Sequence, residues 1–458
     1  MSLISGLYTS LSGMNAQRQV LDITAHNIAN EATPGYHRQR AELSPAGVST
    51  VAAVFAGNAQ QTGGVDVVQI TRIVDQLAED RLVRESAMQA GAQTLSTTLD
   101  RLEAAFPEPS DNGIAAMFDG FWAGWSDVSS LPGDVATRNQ TLERAETLVD
   151  GLQRAAADID QIEATTRESV ISIASDINDL TDRIAQLNKA IVGSANAAND
   201  LTDQRDIVMR QLAELTGAVA RPADGGQIDV SIGGRTLVSG TISQHVEGTG
   251  GVLTWETDGS AVVAPASQAA SLARTLSDLV PRYRTALDDI ASSLVTDVNA
   301  LHTVGYDQNG ATGWNFFDPA GVTASSIAIS ADVLGQPERL AAGAPVFPGP
   351  VAPGAFDGEQ ARVMSALADL AGGPSSSYRS MVTGLGVEVR SATRRLDIQE
   401  DVTQAAYAQA ASVGGVSIDE EMATLVASQR AYQASARVLT TVDQLLGTLI
   451  ERTGVVGR

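Results

Sequence analysis

The two ends constrain this chain most. From Ser417 to about Ile450, Ile418, Leu425, Tyr432, Leu439 and Leu446 recur every seven residues. Met422, Gln429, Ala436, Asp443 and Ile450 form a second row between them. This four–three alternation puts both rows on one face of a helix. Ser417 with Glu420 reads as a capping box, and Asp419 and Glu421 are first-turn acids that suit the helix dipole. In the first thirty residues Leu7, Met14, Leu21 and Ile28 recur at the same interval, with Leu11 and Ala25 in a second row. Each end is then one amphipathic helix with a seam and no partner nearby in sequence. Such a helix persists only when its seam is covered. The economical arrangement pairs the ends with each other and then with further copies of the chain.

Between the ends the chain alternates long helical runs with β-like insertions. Thr33-Pro34-Gly35 should stop the first helix near Asn30. Residues 39–70 read as extended connections with a hairpin. Helices are predicted over 72–106, 114–128, 134–192 and 200–216. In the third of these, Ile159, Ile173, Leu180 and Leu187 share one heptad row, and Val170, Ile177, Ile184 and Ile191 the other. The aromatic stretch Phe118, Phe121, Trp122 and Trp125 reads as a local core knot rather than a ligand box. At Gly217 the period changes to two: Ile228, Val230 and Ile232 alternate with polar residues, and Gly233-Gly234 suits a tight hairpin turn. Helix resumes over 268–302, where Pro281 either kinks it or starts a second helix. Residues 303–356 read as loops and short strands, and helices follow over 358–370 and 376–413.

The expected fold is mainly α with β insertions, a nested hairpin of long coiled-coil-like helices. Residues 1–40 with 415–458 form the paired terminal layer. Residues 41–216 with 267–302 and 357–414 form a rod. Residues 217–266, a small β unit expected to fold on its own, sit outermost with an irregular lobe over 303–356.

Composition narrows the function. The net charge of −24 argues against nucleic acid and anionic membranes as partners. No run of apolar residues is long enough to span a bilayer. The first basic residue is Arg18 and the apolar positions around it are spaced, unlike a secretory signal. Cysteine is absent, which removes disulfides and thiolate chemistry. The four histidines, His26, His37, His245 and His302, lie in neither metal-ligand nor triad spacing. Asp307-Gln308-Asn309-Gly310 lacks the rest of a calcium loop and reads as a β-turn. The glycine-rich stretches near 57–64 and 225–234 lack a phosphate-loop lysine, since the sole lysine, Lys189, lies mid-helix. No catalytic or cofactor-binding constellation emerges. Gln429 and Asp443 on the terminal seam read equally well as register-setting polar residues or as solvated edge positions.

One segment is specific. Asn27-Ile28-Ala29-Asn30-Glu31-Ala32-Thr33-Pro34-Gly35-Tyr36 resembles the N-terminal signature of bacterial flagellar rod, hook and hook-associated proteins. Its pattern residues here are Asn27, Ala29, Asn30, Thr33, Gly35 and Tyr36. In physical terms Asn30 can cap the helix end and Gly35 can supply the turn by which the chain leaves the inner layer. Residues 420–446 are also similar to that superfamily. The long helices beside the termini, with Leu201–Leu215 and Val298–Gly313, are similar to the hook-associated protein 1 family. The short 303–356 region departs from it by leaving room for at most one small outer lobe. The resemblance implies a structural subunit of the hook–filament junction, exported through the flagellar type III apparatus without a cleaved signal peptide and located outside the cell. Its implied partners are copies of itself in a ring, hook subunits below, a second junction protein and the filament above, and an export chaperone; no cofactor is implied. A hook or rod subunit, or a secreted coiled-coil adhesin or effector, are the alternatives.

Overall fold

The computed structural model describes residues 3–46, 63–194, 198–345 and 354–453. Expectations falling on 47–62, 195–197, 346–353 and 454–458 lie outside it. The fold is mainly helical with small antiparallel sheets. Helix α1 (Leu3–Ala29) is followed by a ribbon of β1 (Gln39–Pro45) and β2 (Val65–Arg72), antiparallel with an irregularity at Glu42/Leu43. Helix α2 (Gln76–Ala104) starts four residues later than the periodicity suggested. The ribbon claims residues up to Arg72, and Asp75 caps the helix by accepting from the Leu77 and Ala78 amides.

Helix α3 (Ile114–Ser130) leads to α4 (Val135–Gly193), the axis of a rod. Asp134 caps α4, and its 59 residues span roughly 90 Å. Both predicted heptad rows face inward, with Leu180 only partly buried. Helix α5 (Ala198–Thr216) turns back against the far end of α4.

The β insertion follows. Strands β3 (Val219–Pro222), β4 (Ile228–Ile232), β5 (Arg235–Ser239) and β6 (Ile242–Ser243) form one sheet in sequence order. Strands β7 (Val246–Thr249) and β8 (Val252–Trp255) form a second hairpin. Gly233 and Gly234 turn the first hairpin with φ of +55° and +87°, a conformation other residues adopt at a cost. The insertion is not self-contained, contrary to expectation. Val230, Leu237 and Val238 share one core with Ile173, Ile177 and Ile184 of α4 and Leu212 of α5. Two asparagines of α4 complete the strands' hydrogen bonding. Asn188 holds the Ile228 amide and carbonyl, and Asn178 holds those of Val246.

Helices α6 (Gln268–Arg274) and α7 (Val280–His302) are joined through a π-helical turn over Thr275–Leu279. That turn absorbs the amide missing at Pro281, so the helix neither breaks nor restarts. Residues 303–345 are irregular, as expected, but they are not an outer lobe. Phe316 and Phe317 are fully buried in the rod core against Phe121, and Phe316 also meets Trp125. Helix side chains replace a sheet here: Asn299 of α7 binds the Phe316 and Phe317 amides and the Phe317 carbonyl, and the buried Arg138 donates to the carbonyls of Pro132, Pro337 and Leu340. The aromatic knot is thus a core assembled from distant segments. Asp307 forms an Asx turn onto the Asn309 and Ala311 amides. Helices α8 (Glu359–Ser365), α9 (Pro374–Gly414) and α10 (Ile418–Thr453) complete the chain. Helix α9 runs back along α2, with Ala406 and Ala410 packed on Ala78 and Leu82.

Candidate assembly site: the terminal helix pair and its junction with the rod

Helices α1 and α10 lie antiparallel. Gly6 meets Val442, Gly13 meets Ser435, and Asn27 meets Glu421. The helices meet through small and polar side chains. Ser10, Ala16, Thr24 and Asn27 are buried on α1, and Glu421, Ser428 and Val442 on α10. Small residues let two helices approach closely, and the contact follows one heptad row on each helix: Gly6, Gly13, the half-buried Val20 and Asn27 on α1, and Glu421, Ser428, Ser435 and Val442 on α10. That row is one register away from the large apolar residues.

The large apolar residues flank this contact. Leu7, Met14, Leu21 and Ile28 are half-buried, and Leu11 is exposed. On α10, Leu425, Tyr432, Leu439 and Leu446 are half-buried, whereas Ile418, Met422 and Ile450 are exposed. Gln429 and Asp443 are also exposed. Tyr8, Val426, Val438, Leu445 and Leu449 add to the open apolar surface. The pair therefore satisfies its small-residue face internally and leaves much of its large apolar face to solvent.

The signature segment ties this pair to the rod. Asn27 is 1% exposed and makes four hydrogen bonds. Its Nδ2 donates to the Gln39 carbonyl (2.9 Å) and to Glu421 Oε2 (3.1 Å). Its Oδ1 accepts from Tyr36 Oη (2.7 Å) and from the Gln39 amide (3.0 Å). Asn30 closes the helix end as predicted, with Nδ2 donating to the His26 carbonyl and Oδ1 accepting from Thr33. Ala29 is the last residue of α1 and is exposed. Gly35 has φ +73°, and a Cβ there would lie 2.6 Å from the Ile207 side chain, so both backbone and space call for glycine. Tyr36 packs edge-on against His26. Burial, with Asp200, Asp203 and Glu421 nearby, pushes the Tyr36 hydroxyl far up, so it stays a donor.

The next residue, His37, joins three elements. Its Nδ1 lies 2.7 Å from Asp203 Oδ1 on α5, and its Nε2 3.2 Å from Glu79 Oε1 on α2. Arg72 of β2 pairs with Asp203 (2.8 Å) and Asp206 (2.7 Å). Burial alone would lower the His37 pKa, but the bonds to Asp203 and Glu79 outweigh it and raise it to about 9. Arg38 then reaches α10, pairing with Glu420 and Glu421 at 2.6 Å each. Glu420 is thus drawn to Arg38, not back to Ser417 as a capping box would require. The Arg38 amide also donates to the Gly414 carbonyl (2.8 Å), where α9 gives way to α10. His37, Glu79, Arg72, Asp203 and Arg38 carry no local sequence signal, and Glu421 only that of a first-turn acid. The one hint is their position directly after the signature and at the starts of α2, α5 and α10.

Comparisons with known proteins agree with this architecture. Residues 99–317 match the family described as the flagellar hook-associated protein FlgK helical domain. Residues 7–37 match the flagella basal body rod protein family, and 408–452 the flagellar basal body rod FlgEFG protein C-terminal family. Flagellar hook-associated protein 1 of Bacillus subtilis (strain 168) is 24% identical, with 100% of both chains covered. That of Escherichia coli (strain K12) is 23% identical, covering 96% of this chain and 98% of its own. That of Salmonella typhimurium is 26% identical over 67% of this chain and 58% of its own. The solved flagellar hook junction protein FlgK from Burkholderia pseudomallei shares the fold, with a TM-score of 0.62 at 14% identity over 72% of this chain and 99% of that one. A helical-domain match in the middle, axial-protein matches at both paired ends and full-length relatives of one name make this chain similar along its whole length to flagellar hook-associated protein 1.

Proposed function

We propose that this chain is a structural subunit of the bacterial flagellum that forms the hook–filament junction and adapts the hook to the filament. The observation that carries the reading is the terminal pair. Its polar face is closed internally, its large apolar face is open, and a signature loop fixes it to a long rod. An open apolar face on a paired helix calls for neighbouring chains to cover it. In this reading, residues 1–40 with 415–458 line the inner tube with neighbouring copies, and the helical body forms the next shell. The seam residues from Leu7 to Ile28 and from Ile418 to Ile450 face adjacent subunits. Hook subunits lie on one side of the ring, and the second junction protein and filament on the other. Export proceeds through the flagellar type III route with a chaperone and without cleavage of a signal peptide. Among the described residues no helix is long and apolar enough to cross a membrane.

The test is a strain lacking this gene, complemented with the native chain or with Leu445→Asp. Leu445 is exposed, so the substitution spares the isolated fold. The null strain should keep its hooks, lose attached filaments and shed filament protein into the medium. Leu445→Asp should be exported yet fail to restore attachment. Filaments on the null strain would overturn the junction role; full rescue by Leu445→Asp would overturn the assignment of this face.

A further inference from the structure

The chain crosses between the terminal pair and the rod twice, at residues 30–38 and at Gly414–Gly415. One side chain touches both crossings. His37 lies on the first, and a Cβ added at Gly414 would stand 2.8 Å from its ring. The ring's two nitrogens face carboxylates on different rod helices, Asp203 of α5 and Glu79 of α2. A neutral imidazole has one N–H and one lone pair, so it can donate to one of these and must repel the other. Only the doubly protonated ring suits both. The remaining charged group at the ring is Arg72, whose Nη2 is 3.1 Å from Nδ1 and is itself held by Asp203 and Asp206. Asp206 also meets Arg205 (3.8 Å), so the fixed charges of this cluster are two cations and three carboxylates, which an imidazolium balances. The adjacent residue carries the restraint onward through the Arg38 amide to Gly414 and the Arg38 guanidinium to Glu420 and Glu421.

We propose that His37 is a proton-dependent latch that holds the terminal helix pair at a fixed angle to the rod, and that losing its second ring proton lets the pair swing about Gly414–Gly415. The ordinary histidine pKa of 6.5 applies to the open form, and the closed form retains its proton to about 9. The latch is therefore fully engaged below 6.5, weakens above it and is released past 9. The proposal concerns the isolated chain and stands apart from the role at the junction.

The test uses the full chain with isotope-labelled histidine, whose ring signals are few because there are four histidines. Ring titration is followed by NMR, and protection of the Arg38 and Ile73 amides by hydrogen exchange corrected for intrinsic rate. The Ile73 amide reports because it donates to the Arg38 carbonyl. The His37 ring should titrate near 9, and local opening should rise roughly seventy-fold between pH 7 and pH 10. Glu79→Gln should lower both midpoints together, with rod melting unchanged. His37→Gln should open the loop at pH 7 and flatten its pH profile. A ring midpoint near 6.5 would overturn the proposal. So would opening that does not track the ring in native protein, or Glu79→Gln moving neither midpoint.

Discussion

Replacing Asn27 should loosen the attachment of the terminal helices while leaving the rod intact. Asn27→Ala removes four hydrogen bonds at a position 1% exposed. The Gln39 amide and carbonyl, the Tyr36 hydroxyl and one Glu421 oxygen lose their partner. Glu421 keeps Arg38, and water can reach part of the Gln39 backbone, so two of the four groups bear the loss. At about 1–3 kcal/mol for each unsatisfied buried group, the local cost is about 2–6 kcal/mol. The opened state should then rise by about one and a half to four orders of magnitude, since about 1.4 kcal/mol is a factor of ten. Asn27→Asp is the sharper variant. It keeps both acceptor roles but turns a carboxylate oxygen toward Glu421, 3.1 Å away in the native pair, and toward the Gln39 carbonyl. Two carboxylates so placed cannot both ionise at low cost, so Asn27→Asp should be worse than Asn27→Ala at pH 7 and recover toward pH 5. Adding Glu421→Gln should restore part of the loss through a new amide–carboxylate bond, a coupling absent from either single variant. Exchange protection of the Gln39 amide and tryptic cleavage at Arg38 and Arg40 are the readouts. Gln39 protection within twofold of native in Asn27→Ala would refute the reasoning, as would additive behaviour of the two acidic-site changes.

Other predictions follow the same logic. Leu439→Asp, on the half-buried flank of the terminal pair, should leave rod melting unchanged by calorimetry but fail to restore motility to a null strain. Replacing residues 217–266 with a short linker should lower the rod's melting temperature sharply, because Ile173, Ile177, Ile184 and Leu212 are uncovered at about 1.5–3 kcal/mol each; an unchanged melting temperature would show that the sheet is dispensable to that core. His302 is neutral, with Nδ1–H donating to the Trp314 carbonyl (2.7 Å) and Nε2 accepting from the Ala341 amide (3.0 Å). Burial lowers its pKa to about 4. Its contribution, about 3 kcal/mol, should be complete above pH 6.5 and lost as pH falls toward 4, and acid unfolding of His302→Gln should lack that slope.

The sequence was most legible where local chemistry decides the outcome. Asn30 closes its helix, Gly35 takes a positive φ and the two glycines after Ile232 make the hairpin turn, because each depends on the residue's own backbone preference. The heptads of α4 were equally plain, since a helix packed along its length must repeat its apolar face. Two features escaped for opposite reasons. Residues 303–345 have no period, because their backbone is satisfied by local turns, isolated bridges and the side chains of Asn299 and Arg138 and not by a continuous ladder. The α1–α10 contact has a period, but apart from Val20 and Val442 its rows are glycine, serine, asparagine and glutamate, types that a search for apolar seams passes over. Those rows show how the two ends divide their surface. Small and polar residues select one partner helix at short range and fix its register, as Asn27 does with Glu421 across the whole chain. Large apolar residues one register away remain free to meet others. Had Leu7, Met14 and Leu439 closed on each other, the isolated chain would gain stability and lose its means of association. The cost of that division falls on the terminal pair, which is held to the rod by the charged cluster around His37 and Arg38 more than by apolar burial.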